Sequence, residues 1–181
     1  MRPRGRNRLN LKNLTRRYSM SNQEIERKFT VSRIPSDCQE IKRQSIDQGY
    51  LAIESESKKE VRLRHKGNQF YLTVKSGQGL VRGEAETEIS QEQFEILWPM
   101  TAGRRLEKER RVFLLPDGHQ AEVDVFAGVL SNLILVEVEF ASEEESNTFQ
   151  LPDWFSREVT SDSRFKNQNL IAVRDISQLD I

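Results

Sequence analysis

Charged residues recur at alternate positions in about seven short stretches of this sequence, with apolar side chains between them. That period of two restricts the fold more than any other feature. Glu24, Glu26 and Lys28 alternate with Ile25 and Phe29, Arg62 and Arg64 with Val61 and Leu63, and Lys75 follows Leu72 and Val74. Arg82, Glu84, Glu86 and Glu88 share one face of the next stretch, and Lys108 and Arg110 share a face further on. Glu122 and Asp124 alternate with Val123 and Val125, and Glu137 and Glu139 with Val136, Val138 and Phe140. Successive side chains of a strand point to opposite faces, so each stretch reads as a strand that is charged on one face and apolar on the other.

Turn signals separate these stretches. Gly67-Asn68 joins one hairpin and Pro116-Asp117-Gly118 another, and a further strand is expected from about Arg43 to Glu54, broken near Gly49. Ser36 with Gln39, Ser90 with Gln93 and Ser142 with Glu145 have capping-box spacing for three short helices, the second ended by Pro99. A terminal helix is expected after Asp162. The chain is therefore read as mainly β (α+β): an eight-stranded antiparallel β-barrel tunnel with a charged interior and a few covering helices.

The charged interior is the less usual of two options, because an antiparallel sheet ordinarily turns its charges to solvent. Three features favour the inverted barrel. Like charges come in pairs two apart, which suits gripping a multivalent ligand. Acidic and basic pairs fall on different strands, giving separate walls for a cation and an anion. The uncharged alternates are short and β-branched, suited to lying under helices.

With 181 residues the chain has the length of one domain. Its 31% charged and 36% hydrophobic content is polar for a globular protein, which a charged interior explains. The zero net charge hides an asymmetry. Of the 28 Lys and Arg residues, seven (Arg2, Arg4, Arg6, Arg8, Lys12, Arg16 and Arg17) lie in the first nineteen positions, without an acid; the other 21 face 28 Asp and Glu. Residues 1–19 are read as a disordered basic extension or an over-long start, Met20 standing just before the first strand, and 20–181 as the domain. An acidic body is not a general nucleic-acid binder, so nucleic acid is not the expected partner. Cys38 is the single cysteine, and no apolar run has the length of a membrane span or a signal peptide; a cytoplasmic protein is expected.

Carboxylates two apart on a strand lie roughly 7 Å from each other, so a pair such as Glu24 and Glu26 flanks a metal and needs a facing pair, for which Glu137 and Glu139 are available if the first and last strands meet. Oxygen-only ligands favour Mg²⁺ or Mn²⁺. Arg62, Arg64, Lys75 and Arg110 suit phosphate oxygens. The smaller signals carry less. Gly77-Gln78-Gly79 is a hairpin turn rather than a phosphate loop, His65 and His119 are surface residues, and Trp98 and Trp154 are packing residues. Cys38 is a space-filler or an exposed thiol, and Glu88 and Glu122 are tunnel-rim or solvated residues.

In this order the motifs resemble the CYTH domain, the triphosphate tunnel metalloenzymes. The resemblance runs through E-x-E-x-K at Glu24, Glu26 and Lys28, R-x-R at Arg62 and Arg64, the single Lys75, and R-x-E-x-E at Arg82, Glu84 and Glu86. It continues with K-x-R at Lys108 and Arg110, Asp124, E-x-E at Glu137 and Glu139, and the closing Val159-Thr160-Ser161-Asp162 with Arg164, Lys166, Asn169 and Leu170. It covers about residues 22 to 173 and implies a small-molecule triphosphate as partner and metal-dependent hydrolysis of its terminal phosphoryl group. Tripolyphosphate is the expected substrate, yielding pyrophosphate and phosphate. The family's other chemistries are a thiamine or nucleoside triphosphatase, a class IV-type adenylate cyclase and a non-catalytic polyphosphate or nucleotide binder. Carried over, Glu24, Glu26, Lys28 and Lys75 are the expected catalytic residues. Lys28, Arg62, Arg64, Lys75, Arg82, Lys108, Arg110 and Lys166 are the expected substrate contacts. Glu24, Glu26 and Glu139 look like ligands of a first metal, with Asp124, Glu137 and Glu139 for a second, and Glu84 and Glu86 are further tunnel acids.

Overall fold

In a computed structural model of the protein, residues 22–36, 38–54, 56, 59–76 and 81–181 are described, with side chains from residue 25 onward in the first strand and from residue 83 onward in the fifth. The basic extension 1–19, the turn Gly77–Gly79 and the side chains of Glu24 and Arg82 lie outside the described residues.

Eight strands form: β1 (Asn22–Thr30), β2 (Gln39–Glu54), β3 (Lys59–Lys66), β4 (Gln69–Ser76), β5 (Val81–Ile89), β6 (Arg105–Leu114), β7 (Gln120–Phe126) and β8 (Ile134–Phe140). Their spatial order is β1-β5-β4-β3-β2-β6-β7-β8, and β1 returns to pair with β8, closing the barrel. All the neighbouring pairs are antiparallel.

The apolar faces point outward. Phe29, Phe113, Val123, Val136 and Val138, from β1, β6, β7 and β8, pack with Phe149 and Phe155 from the segment that follows β8. The main core therefore lies outside the barrel wall, beneath α2 (Glu143–Thr148) and the chain beyond it. Turning the wall's other face to water would also have satisfied the period of two. What decides the matter is that the charges bond one another across the enclosed space, as Arg110 of β6 does with Glu137 of β8.

A second core closes one end. Leu106, Phe126 and Leu135 occupy the same faces as Lys108, Asp124 and Glu137, and they pack against Phe165, Leu170 and Leu179 of the C-terminal turns. At this end the charged lining thus gives way to an apolar stopper.

Three local expectations are overturned. Ser36 and Gln39 start no helix: Gln39 opens β2, which pairs with β6 from Gln39 opposite Leu114 to Gly49 opposite Arg105. Long-range pairing with β6 outweighs a local cap there. Near Gly49 the strand does not end but runs on to Glu54 with a register shift against β3 between Tyr50 and Ala52; a Cβ on Gly49 would sit 2.5 Å from Thr101 Oγ1 and 2.8 Å from the Trp98 ring, so glycine permits close packing. After Asp162 come short pieces, Ser163–Phe165, α3 (Asn167–Leu170) and Ile176–Leu179, rather than one helix.

The second capping box does form. Gln93 N–H donates to Ser90 Oγ at 3.1 Å and Ser90 N–H donates to Gln93 Oε1 at 2.8 Å, opening α1 (Gln91–Leu97). Its buried Phe94 lies 4.9 Å from both the Phe70 and Trp98 rings, fixing α1 to the outer wall. His65 stacks on Phe70 at 4.6 Å in the same outer cluster, which accounts for it structurally.

Candidate active site inside the barrel

Strand register places the charged residues in two facing groups. On the β1-β8-β7-β6 side, Lys28 stands opposite Glu137, Glu26 opposite Glu139, Glu122 opposite Glu137, and Arg110 opposite Asp124. On the β3-β4-β5 side, Glu60 stands opposite Lys75, Lys75 opposite Glu84, and Thr73 opposite Glu86. The backbones of Glu24 and Arg82 are paired across β1 and β5.

The first group is a buried lattice of ion pairs. Arg110 grips Asp124 with two parallel bonds, Nε to Oδ1 and Nη2 to Oδ2, both at 2.7 Å. The same guanidinium reaches Glu137 at 3.0 Å and bonds Glu122. Lys28 Nζ holds the other Glu137 oxygen at 2.7 Å, and Lys108 bonds Asp124. Asp124 is 2% exposed and Lys108 5%, so water shields little of their pairing, whereas Glu122 at the edge of the lattice is partly exposed. Burial pushes the Lys108 ammonium down to about 8, opposed by Asp124 and helped by Arg110. Burial also works against the charged forms of Asp124 and Glu137, yet both are held below the usual carboxylate range. Arg110 and Lys108 do this for Asp124, and Lys28, Arg110 and Lys108 for Glu137.

Glu139 behaves oppositely. The residue is exposed overall, but burial around its carboxyl, with the negative charges of Glu122 and Glu137, raises its pKa. Glu26, its register partner, adds a further carboxylate to that end. Acid groups crowded so that one resists ionisation form a set that a divalent cation would relieve, and oxygen-only donors fit Mg²⁺ or Mn²⁺. Among the described residues no three His, Cys, Asp or Glu groups already converge as a formed metal site. Asp124 and Glu137 are turned to Lys and Arg instead.

The second group is a cationic wall. Glu84 lies 2.5 Å from Lys75, 3.5 Å from Arg62 and 3.6 Å from Arg64. Glu86 bonds Arg64 and accepts from Thr73 Oγ1 at 2.8 Å. Even so, the Nε–H groups of Arg62 and Arg64 are buried and have no acceptor among the described residues. Buried donors are almost always paired, so two orphans on neighbouring arginines leave hydrogen-bonding capacity that an acceptor could fill. Burial, and next the charge of Arg62, lowers the Arg64 pKa, whereas for Arg62 burial is outweighed by Tyr50 and the nearby glutamates, which raise its pKa.

The expected site residues with described side chains fall into these groups, apart from Lys166, which is half-buried beside the C-terminal stopper. Glu122 belongs to the lattice through Arg110, whereas Glu88 is exposed. Sequence alternation missed the contribution of β2. Tyr50 is fully buried, 0% exposed, and its hydroxyl accepts from Gln48 Nε2 at 2.7 Å. Tyr50 stands opposite Arg62 and Gln48 opposite Arg64. Burial, then the charge of Glu60, pushes the Tyr50 phenol up, so it remains a hydroxyl. The available signal was Gln48 and Tyr50 sharing a face, which carries no charge pattern. Thr73 and Glu60 also belong to the lining.

The CYTH domain family model matches residues 22–169. The chain belongs to the CYTH domain family. It is 50% identical over 147 residues to an inorganic triphosphatase of Nitrosomonas europaea, covering 81% of this chain and 95% of the relative. An inorganic triphosphatase of Acetivibrio thermocellus is 38% identical over 152 residues, covering 82% of this chain and 92% of the relative. A crystal structure of an inorganic triphosphatase superposes with a TM-score of 0.66 at 47% identity, covering 84% of this CYTH chain and 96% of that one. Among the described residues no helix is long and apolar enough to cross a membrane.

Proposed function

We propose that this CYTH protein hydrolyses inorganic tripolyphosphate to pyrophosphate and phosphate, with Mg²⁺ or Mn²⁺ as cofactor. The observation that carries the reading is the pair of buried, acceptorless Nε–H groups of Arg62 and Arg64 beside Lys75, inside a closed barrel. Arginine forks and a lysine in a low-dielectric space suit a short, multiply charged phosphate chain. The identity to two inorganic triphosphatases supports the same substrate.

On this reading Arg62, Arg64, Lys75 and Arg82 hold the phosphate chain from one wall, while Lys28, Lys108 and Arg110 face it from the other. Lys166 is a further substrate contact at the stoppered end. Glu24, Glu26 and Glu139 would hold a metal, with Asp124 and Glu137 available for a second, and Glu84 and Glu86 are the tunnel acids of the cationic wall. When bound, the metal supplies charge neutralisation at the phosphoryl oxygens and polarisation of the attacking water. The lining positions the triphosphate, and Lys28 and Lys75 stabilise charge as it develops on the departing pyrophosphate. The unit responsible is 20–181, with 1–19 as an extension, and the cytoplasm is the proposed location.

Phosphate release from tripolyphosphate, thiamine triphosphate and ATP, each with Mg²⁺, Mn²⁺ or chelator, tests this reading. Metal-dependent release from tripolyphosphate, lost in a Glu26→Ala, Glu139→Ala double variant, is expected. Turnover of ATP to a cyclic nucleotide, or none of any substrate by the folded protein, would overturn it.

A further inference from the structure

β1 carries Glu26 and Lys28, yet its two edges are held unequally. Along one edge β8 pairs with it from Ile25 to Thr30. Along the other, the described pairing with β5 runs only from Asn22 to Ile25. Where that pairing stops, a distant stretch of chain takes over. Val159 N–H donates to Lys28 C=O at 2.8 Å, Thr30 N–H to Arg157 C=O at 2.9 Å, and Ser156 N–H to Thr30 C=O at 2.9 Å, with Phe29 and Glu158 in an antiparallel bridge.

Side chains add to this strap: Arg157 N–H donates to the Thr30 hydroxyl at 3.1 Å. Lys28 N–H donates to the hydroxyl of Thr160 at 3.0 Å, and that hydroxyl lies 2.8 Å from Glu158 Oε1, to which it donates. Glu158 in turn accepts from Arg27 Nε at 3.0 Å and Arg27 Nη2 at 2.7 Å. The Arg27 bonds lead in holding the Glu158 carboxyl below its usual range, so it is a charged and strong acceptor for Thr160. The relay joins the backbone N–H of Lys28 to the guanidinium of its neighbour Arg27 through one hydroxyl and one carboxylate, Arg27 pointing out of the barrel and Lys28 in. A backbone shift at Lys28 would move its ammonium from Glu137, now at 2.7 Å, and from the enclosed space.

We propose that Thr160 is a positioning residue for the triphosphatase site: its hydroxyl completes the free edge of β1 and so fixes where Lys28 presents its ammonium. The proposal rests on the tripolyphosphatase reading for its catalytic consequence, but not for the anchoring itself.

Thr160→Val keeps the side chain's shape and removes the hydroxyl; Thr160→Ser keeps the hydroxyl. Three readouts are compared: amide hydrogen exchange at Lys28 and Thr30, melting temperature, and kcat and KM for tripolyphosphate with Mg²⁺. Thr160→Val is expected to exchange faster at Lys28 and to lose about tenfold to a hundredfold in kcat/KM, the cost of a small misplacement. Thr160→Ser should restore both while the three proteins melt within a few degrees of one another. Faster exchange with full kcat/KM, equal losses in both variants, or unchanged exchange in Thr160→Val would each overturn the proposal. An inactive parent protein would overturn the functional reading, with the exchange data still deciding whether Thr160 anchors Lys28.

Discussion

Glu26 and Glu139 stand directly opposite each other on β1 and β8, at the seam where the first and last strands close the barrel. Two carboxylates in register on one face repel each other. Burial with Glu122 and Glu137 nearby already raises the Glu139 pKa. A group whose folded pKa is raised keeps its proton longer in the folded state. Stability is therefore lost as pH climbs from the unfolded value through the folded one. Without metal, Glu139→Gln is expected to melt higher than the parent at pH 7. With Mg²⁺ the parent should gain melting temperature by mass action and Glu139→Gln should gain little. Equal metal-induced shifts in both proteins would remove Glu139 from the metal set.

Arg110 compensates Asp124, Glu137 and Glu122 at once. Removing one partner of a buried ion pair leaves an uncompensated charge, so Arg110→Ala should cost about 3–5 kcal/mol in urea unfolding. Arg110→Lys keeps the charge but loses the two-bond grip on Asp124 and should recover only part of that. Full stability in Arg110→Lys would show that the fork geometry is immaterial.

Glu40 ties the start of β2 to β6. Its bonds from Arg43, opposed by burial and joined by Arg111, lower its pKa to about 2 from an ordinary 4.5. A depressed carboxylate pKa contributes stability that is present above 4.5 and is lost as pH falls through about 2. Glu40→Gln should therefore melt below the parent at pH 7, and the difference should shrink between pH 4.5 and pH 2. A gap that stays constant over that window would assign the effect to something other than ionisation.

Gly49 meets Thr101 and Trp98 so closely that no Cβ fits without movement, its nearest atoms lying 2.5 to 2.8 Å from that position. Gly49→Ala is expected to destabilise by about 1–3 kcal/mol through overpacking, with altered Trp98 fluorescence as the outer turn is displaced. An unchanged unfolding midpoint would mean that the turn Trp98–Thr101 yields freely.

Much of this architecture was legible in one dimension. The period of two in Glu24 to Phe29, Lys108 to Phe113 and Val136 to Phe140 set strand type and faces, because the pleat alternates side chains whatever the partners are. The ordered acid and base pairs named the chemistry, and Ser90 with Gln93 named a helix start, because a capping box is local. Tertiary structure alone decided the rest. Ser36 and Gln39 have the same capping spacing, but pairing with β6 draws Gln39 into a strand. Gln48 and Tyr50 carry no charge signal, and only the register of β2 against β3 brings them beside Arg64 and Arg62. Alternation could not say which face is inside, since either choice buries one face; the ion pairs across the enclosed space, as between Arg110 and Glu137, with Phe149 and Phe155 packed outside the wall, settled it. Nor could it reveal that Val159 and Thr160 return to the edge of β1, because a contact across 132 residues leaves no local pattern.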